Sequence, residues 1–256
     1  SSLVFLNEGA ICSEMTRLVS ASQMDLLDLE IHRVTTSTND VVIQRLSSGD
    51  SVSILCVAEM QTAGKGRRGR SWVSPFGRNI YFTYGCVVQC KSSELRGLSL
   101  VTGMTVVDVL RAFGLKQVGL KWPNDILIFE EGIYKKLAGI LIEIQGDTDG
   151  QSAAIIGIGL NLNLSKTQLE KIDQPATDIN NLVSENIDSN FFMAIIIKEL
   201  AQVLASFESD QFKPFKDEWL SYHAFQDKLI DIMLGNSQTI TGKAIDISDT
   251  GALIVR

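Results

Sequence analysis

Thr62-Ala63-Gly64-Lys65-Gly66-Arg67-Arg68-Gly69-Arg70-Ser71-Trp72, or TAGKGRRGRSW, is the stretch on which the fold turns. Gly64, Gly66 and Gly69 spell G-x-G-x-x-G, the turn that opens a dinucleotide-binding unit. That fingerprint needs a strand before it and a helix after it, with the helix N-terminus facing a pyrophosphate. The strand is present, since SILCVAE (53–59) is a short apolar run. The helix is missing, because Arg70-Ser71-Trp72-Val73-Ser74-Pro75 forms helix poorly. The Walker pattern G-x-x-x-x-G-K-[ST] is absent as well. What remains is a basic loop in which Lys65, Arg67, Arg68 and Arg70 fall within six residues. Its glycines let backbone N–H groups approach an anion, and its cations neutralise charge that builds on oxygens during phosphoryl or adenylyl transfer.

The rest of the chain narrows the ligand. A length of 256 residues with 45% hydrophobic residues is enough for one large buried core and a smaller unit. A net charge of −7 argues against general binding to nucleic acid or an anionic membrane. A basic loop on an acidic chain suits a small anion better than a long polyanion. Every apolar run is broken by Gly, Asp or Lys before membrane-spanning length. Cys12, Cys56, Cys86 and Cys90 show neither C-x-x-C nor a Cys/His metal spacing. They read as small buried hydrophobes of a reducing cytosol, with Cys86 and Cys90 on one face of a strand. Only His32 and His223 could serve a His-dependent triad, and neither lies near a G-x-S-x-G elbow.

Along the chain, 10–28 read as a short helix and a loop, and LEIHRV (29–34) as a strand. TTSTND (35–40) supplies helix caps for VVIQRL (41–46). IYFTYGCVV is a strand, 95–114 a helix ending at Gly114, and VGLKWPNDILIF two strands around a Pro-containing turn. KKLAGILIEIQ and AAIIGIGLNLN form a hairpin. Two helices follow at 191–209 and 212–225, the second with Pro214 in its first turn. The remainder is short strands with turns at Gly235-Asn236 and Asp249-Thr250-Gly251. Strands and helices without regular βαβ alternation predict α+β, a mixed β-sheet flanked by helices. The change of pattern near residue 226 divides the chain into 1–28, a helix and linker, 29–225, a catalytic domain, and 226–256, a small β domain.

Three further segments carry chemistry. Lys121-Trp122-Pro123-Asn124-Asp125 puts a cation, an aromatic, an amide and a carboxylate beside one turn. In KKLAGILIE (135–143), strict alternation puts Lys136 on the face of Ala138 and Ile140, where an inward lysine needs an anionic partner. The glycines of Gly157-Ile158-Gly159 mark close approach of a ligand or another backbone.

Taken together, STN (37–39), QTAGKGRRGRSW (61–72), SPFGRNIYF (74–82), KWPND (121–125), KKLAGILIE (135–143) and GIGLNLN (157–163) resemble biotin–protein ligase, also called biotin–[acetyl-CoA-carboxylase] ligase. The resemblance runs from about Leu29 to Arg256. It implies a catalytic fold related to class II aminoacyl-tRNA synthetases, followed by an SH3-like β domain. It implies a cytoplasmic enzyme that makes biotinyl-5′-AMP from biotin and ATP with Mg2+. Such an enzyme then transfers biotin to a lysine of a biotin carboxyl carrier protein.

By the same resemblance, Ser37, Thr38, Asn39 and Gln61 contact biotin's ureido head, the first three doubling as helix caps. Lys65, Gly66 and Arg67 close over its carboxylate. The family often has Arg at the position of Lys65, which keeps the charge but not the bidentate fork. Arg68, Arg70, Trp72, Lys121, Asn124 and Asn161 face the nucleotide, with Lys121 able instead to pair with Asp125. Lys136 contacts biotin's activated carboxyl and stabilises the adenylyl-transfer transition state, and Asp125 partners Mg2+. The segment before the catalytic strand is too short for a helix-turn-helix, so this chain is not expected to bind operator DNA. The small domain ends early for the family. The sister activity, lipoate–protein ligation, is disfavoured by KWPND and the polar STN cluster. Dimerisation through the sheet stays open.

Overall fold

The computed structural model describes residues 5–18, 27–49, 52–146, 150–183, 187–233 and 238–256. A seven-stranded mixed sheet has the order β1-β2-β3-β7-β6-β5-β4. Its strands are β1 (Leu27–His32), β2 (Ser53–Ala58), β3 (Asn79–Val88), β4 (Val118–Lys121), β5 (Asp125–Glu130), β6 (Ile133–Gly146) and β7 (Ser152–Asn161). Only β1 and β2 run parallel, joined by the crossover helix α2 (Thr38–Ser47), the second helix of the chain; every other pairing in this sheet is antiparallel. The expected hairpins β4–β5 and β6–β7 are both present.

One face of the sheet is buried under helices. These are α1 (Glu8–Leu18), α3 (Leu98–Ala112), α5 (Ser189–Asp210) and α6 (Lys216–Tyr222), while α4 (Lys166–Leu169) is a single turn after β7. Ile80, Phe82, Ala138, Ile140, Ile156, Ile158 and Leu160 line that face. Burial of this kind contributes roughly 25 cal/mol per Å2 of apolar surface. The opposite face is only half covered. There α2 packs Val42 against Ile54, Cys56 and Ile155, and the rest of the face stays open. That opening is the cleft described below.

Local chemistry explains the ends of the elements. Asp188 caps α5 by accepting from the amides of Asn190 (2.9 Å) and Phe191 (3.3 Å). By length and apolarity α5 would pass as a membrane span, which the broken-run reading missed. Phe192, Met193, Ile196, Ile197 and Leu200 are buried against the core. Gly114 sits at φ 95 just past α3, the left-handed position that a C-terminal glycine serves. The helix expected over 212–225 is a 3-10 turn at Lys213–Phe215, which holds Pro214, running into α6.

Two expectations need correction. Cys86 and Cys90 do not share a strand face, because β3 ends at Val88 and Cys90 lies beyond it; both are buried and free. Burial pushes the Cys86 thiol up to about 12. The second correction concerns Lys136. Its register partner on β5 is Leu127, while Ala138 pairs with Ile126, so Leu137 is an extra residue forming a β-bulge. The bulge breaks the alternation and moves Lys136 off the face of Ala138 and Ile140.

A second, three-stranded antiparallel sheet has the order β10-β9-β8, from β8 (Leu229–Met233), β9 (Thr239–Ile247) and β10 (Leu253–Val255). The turn at Ser248–Gly251 closes with a Gly251 N–H to Ser248 O bond of 2.9 Å. The expected turn at Gly235-Asn236, and the loop after α1, lie outside the described residues.

Candidate active site

The open face of the sheet forms a cleft of about 870 Å3. All of the residues singled out from the sequence line it: Ser37, Thr38, Asn39, Gln61, Lys65, Gly66, Arg67, Arg68, Arg70, Trp72, Lys121, Asn124, Asp125, Lys136 and Asn161. Strands β5, β6 and β7 make its floor, the N-terminus of α2 one wall, the basic loop its cover and β8 part of its rim.

Two register rows cross the sheet at the cleft, their β3 ends buried. Tyr81, Gly159, Gly139 and Asp125 lie side by side across four strands, and Thr83, Gly157 and Leu141 form the neighbouring row. The glycines clear space. A Cβ at Gly159 would lie 2.6 Å from Cε2 of Trp72, and one at Gly139 would lie 2.9 Å from its Cζ3. A Cβ at Gly157 would lie 2.1 Å from Asn39 Oδ1. Trp72 therefore lies flat on the floor at one point and Asn39 rests on it at another.

Lys136 reaches the first row through its side chain. Its Nζ is 2.7 Å from Asp125 Oδ1 and 5.2 Å from the centre of the Trp72 ring. The inward lysine does have its anion. It is Lys136, not Lys121, that pairs with Asp125; Lys121 is exposed and carries no ion pair among the described residues. The segment 175–177 fixes the backbone of Lys136, whose N–H donates to Pro175 O (2.8 Å) and whose carbonyl accepts from Thr177 N (3.0 Å).

At the α2 end, Ser37 occupies the N-cap, but its side chain makes no cap bond. The amide of Thr38 is satisfied by Gln61 Oε1 at 2.8 Å. Gln61 Nε2 in turn reaches Ser74 Oγ at 3.3 Å, and that hydroxyl donates to Trp72 O at 3.0 Å. Ser37, Thr38 and Asn39 are all buried.

The basic loop is tied across its own base. Gly66 N–H donates to Arg70 O at 2.7 Å, and Trp72 N–H donates to Gly64 O at 2.8 Å. In place of an α-helix, the glycine-rich run holds a single 3-10 turn, Arg67–Gly69. Arg68 takes the left-handed conformation at φ 57, and its Nη1 donates to Met233 O at 3.1 Å, tying the loop to β8. Arg67 Nη1 reaches Asn124 Oδ1 at 3.3 Å. Partial burial, and then the charge of Arg68, push the Arg67 guanidinium below its ordinary value, while Asp125 opposes them. Lys65 is ion-paired with Asp40 on α2. Arg70 is exposed and has no ion pair among the described residues.

Asn124 and Asn161 are committed to the framework. Asn124 Nδ2 donates to Ile140 O at 2.8 Å. Asn161 Nδ2 donates to Thr177 O at 3.0 Å, and its Oδ1 lies 3.4 Å from Asn79 Nδ2. Three polar residues escaped sequence reading: Asp40, Thr83 and Glu143. Each sits on an ordinary helix or strand position, and only the pairing of distant elements brings it against a residue that lines the cleft. Alternation from Gly157 and its strand partner was the one available signal for Thr83. Among the described residues no group of three or more His, Cys, Asp or Glu side chains could hold a metal.

The chain belongs to the biotin/lipoate A/B protein ligase family, whose model matches residues 31–163. It is 34% identical over 255 residues to the bifunctional ligase/repressor BirA of Escherichia coli, covering 97% of this chain and 76% of that protein. It is 32% identical over 228 residues to the biotin–[acetyl-CoA-carboxylase] ligase of Paracoccus denitrificans, covering 87% and 91% respectively. Among solved structures, the biotin protein ligase of Aquifex aeolicus in complex with biotin and ATP superimposes with a TM-score of 0.73 at 28% identity. That match covers 89% of this chain and 91% of the other.

Proposed function

We propose that this protein is an ATP-dependent, AMP-forming biotin–protein ligase. The observation that carries the reading is the convergence of five distant segments on one cleft, with Lys136 held beside Asp125 and Trp72 under the basic loop. Relatives named as biotin ligases, matched over most of both chains, support the same reading.

Biotin's carboxylate attacks the α-phosphorus of ATP, pyrophosphate leaves, and biotinyl-5′-AMP forms. The ε-amine of a lysine on a biotin carboxyl carrier protein then attacks the acyl carbon, and AMP leaves. A carboxylate and a triphosphate repel each other, so the first step needs fixed cations. Lys65, Gly66 and Arg67 take the carboxylate. Lys136 steadies the charge that grows at the α-phosphoryl group. Arg68, Arg70, Lys121 and Asn124 serve the phosphates, and Trp72 offers a flat surface to the adenine. Asn161 acts by holding 177 and β7 together behind Lys136. Ser37, Thr38, Asn39 and Gln61 receive the ureido head. Closure of the loop excludes water from a hydrolysable anhydride.

Mg2+ ordinarily binds through substrate phosphates and one or two carboxylates, and Asp125 fits as such a carboxylate. Bound there, the ion would offset phosphate charge. On this reading 29–225 is the catalytic domain, 226–256 a small SH3-like domain, and 1–28 a linker. The test is biotin-dependent exchange of labelled pyrophosphate into ATP, run beside lipoate. Exchange with biotin alone is the expected result; exchange with lipoate alone, or with neither, overturns the reading.

A further inference from the structure

The buried threonine Thr83 and the carboxylate Glu143 lie behind the residues assigned to the ureido head, and nothing in the activation chemistry above uses them. Thr83 has no solvent exposure. Its Oγ1 lies 2.7 Å from Asn39 Oδ1 and 2.8 Å from Thr38 Oγ1. Asn39 Nδ2 lies 2.7 Å from Glu143 Oε2 and 3.5 Å from the carbonyl of Leu141.

These contacts fix which atom donates at each link. A backbone carbonyl can only accept, so the end of Asn39 facing β6 is its NH2 group. Its Oδ1 therefore faces Thr83 and can only accept. Thr83 has one hydroxyl proton, which this contact takes. The Thr38–Thr83 contact then needs the proton of Thr38. Gln61 Oε1, 3.2 Å from Thr38 Oγ1, is another acceptor and pulls that proton the same way, into the protein. Thr38 is left with lone pairs, and no proton, for the cleft.

We infer that Thr83 and Glu143 are positioning residues that set Thr38 as a hydrogen-bond acceptor, so that the cleft selects a ring N–H donor at that point. A cyclic urea presents two such N–H groups. The inference rests on the biotin reading above and adds to it the polarity of one subsite and the residues that impose it.

The test measures equilibrium binding of biotin and of its two cyclic-carbamate isomers, each with one ring N–H replaced by O. The wild-type protein should bind one isomer about 100-fold more weakly than biotin, since an oxygen there faces an acceptor. Thr83→Val removes the nearer of the two acceptors of the Thr38 proton and leaves only Gln61 Oε1 at 3.2 Å, so the proton can also turn toward the ligand. Biotin binding should weaken, and the preference over that isomer should shrink to within about tenfold. Thr83→Ser keeps the hydroxyl and should restore the preference. Glu143→Gln, which offers Asn39 a donor as well as an acceptor, should also erode it. A simple packing role would weaken all three ligands alike and leave the ratio unmoved, and that result overturns the inference. Equal wild-type affinity for biotin and both isomers overturns it too. Absence of wild-type biotin binding would instead strike the functional reading on which the inference stands. Thermal unfolding of each variant identifies a fold failure, in which case Thr83→Ser and Glu143→Gln decide.

Discussion

Gly159 and Trp72 touch so closely that a single methyl group at position 159 would sit 2.6 Å from the indole. Gly159→Ala must therefore lift the ring from the floor. With Trp72 assigned to adenine, the KM for ATP should rise about tenfold, or about 1.4 kcal/mol, while biotin affinity changes little. Gly157→Ala should do the reverse, because the atom it meets is Asn39 Oδ1 at 2.1 Å. Separate biotin titrations and ATP saturation curves distinguish the two; matching losses in both variants would contradict the division of the floor.

Lys136 and Asp125 make the second expectation. Lys136→Ala removes a cation aimed at the reacting phosphorus and should slow pyrophosphate exchange about 100- to 1,000-fold. Biotin binding should stay within about threefold, since the ureido subsite lies elsewhere on the floor. Equal losses in rate and binding would assign Lys136 to ground-state binding instead.

Arg67 sits where the basic loop meets Asn124. Arg67→Gly removes that tether and adds backbone freedom. The variant should make biotinyl-5′-AMP yet release it early, so that labelled adenylate passes a filter that retains it on the wild-type protein. Retention equal to wild type would show that the loop does not hold the intermediate.

His223 gives a pH dependence of known sign. Burial pushes its imidazole below the ordinary 6.5, and the neighbouring charge of Lys228 adds to this against the Gln226 contact. The unfolded chain then binds this proton more readily than the folded one. The group's contribution to stability is complete above the unfolded value and is lost as pH falls through the lower folded value. The urea midpoint should drop between pH 8 and pH 5, and His223→Phe, which can still stack on Trp219, should flatten that drop. An unchanged slope would show that other groups govern it.

Much of this architecture was readable before any coordinates. The alternation of LEIHRV announced β1, short apolar runs announced β2, β3 and β7, and the apolar spacing announced α3 and α5. The residues on motifs converge on one cleft because each motif ends a strand or opens a helix at the same sheet face. What could not be read depends on pairing. Alternation assumes an unbroken ladder, so it placed Lys136 with Ala138 and could not foresee an extra residue at Leu137. Asp40 gave no sign that it would meet Lys65, nor Lys121 that it would be left out, because salt bridges between distant segments follow from the folded register alone. Thr83 resembles any central-strand threonine until Asn39 is set against it.

The bulge at Leu137 also makes the cleft sensitive to parity. Everything on β6 before it is one step out of phase with everything after it. Inserting one residue on β5 opposite Leu137 would complete the ladder and return β6 to strict alternation, swapping inside for outside along its first half. The lysine would then turn toward the oily layer beneath the sheet, and a leucine side would turn toward the substrates. No chemical group would be missing from the chain, yet the reaction would lose its cation. An insertion scan along β5 should find the junction of Ile126 and Leu127 far less forgiving than the exposed strand end at Phe129.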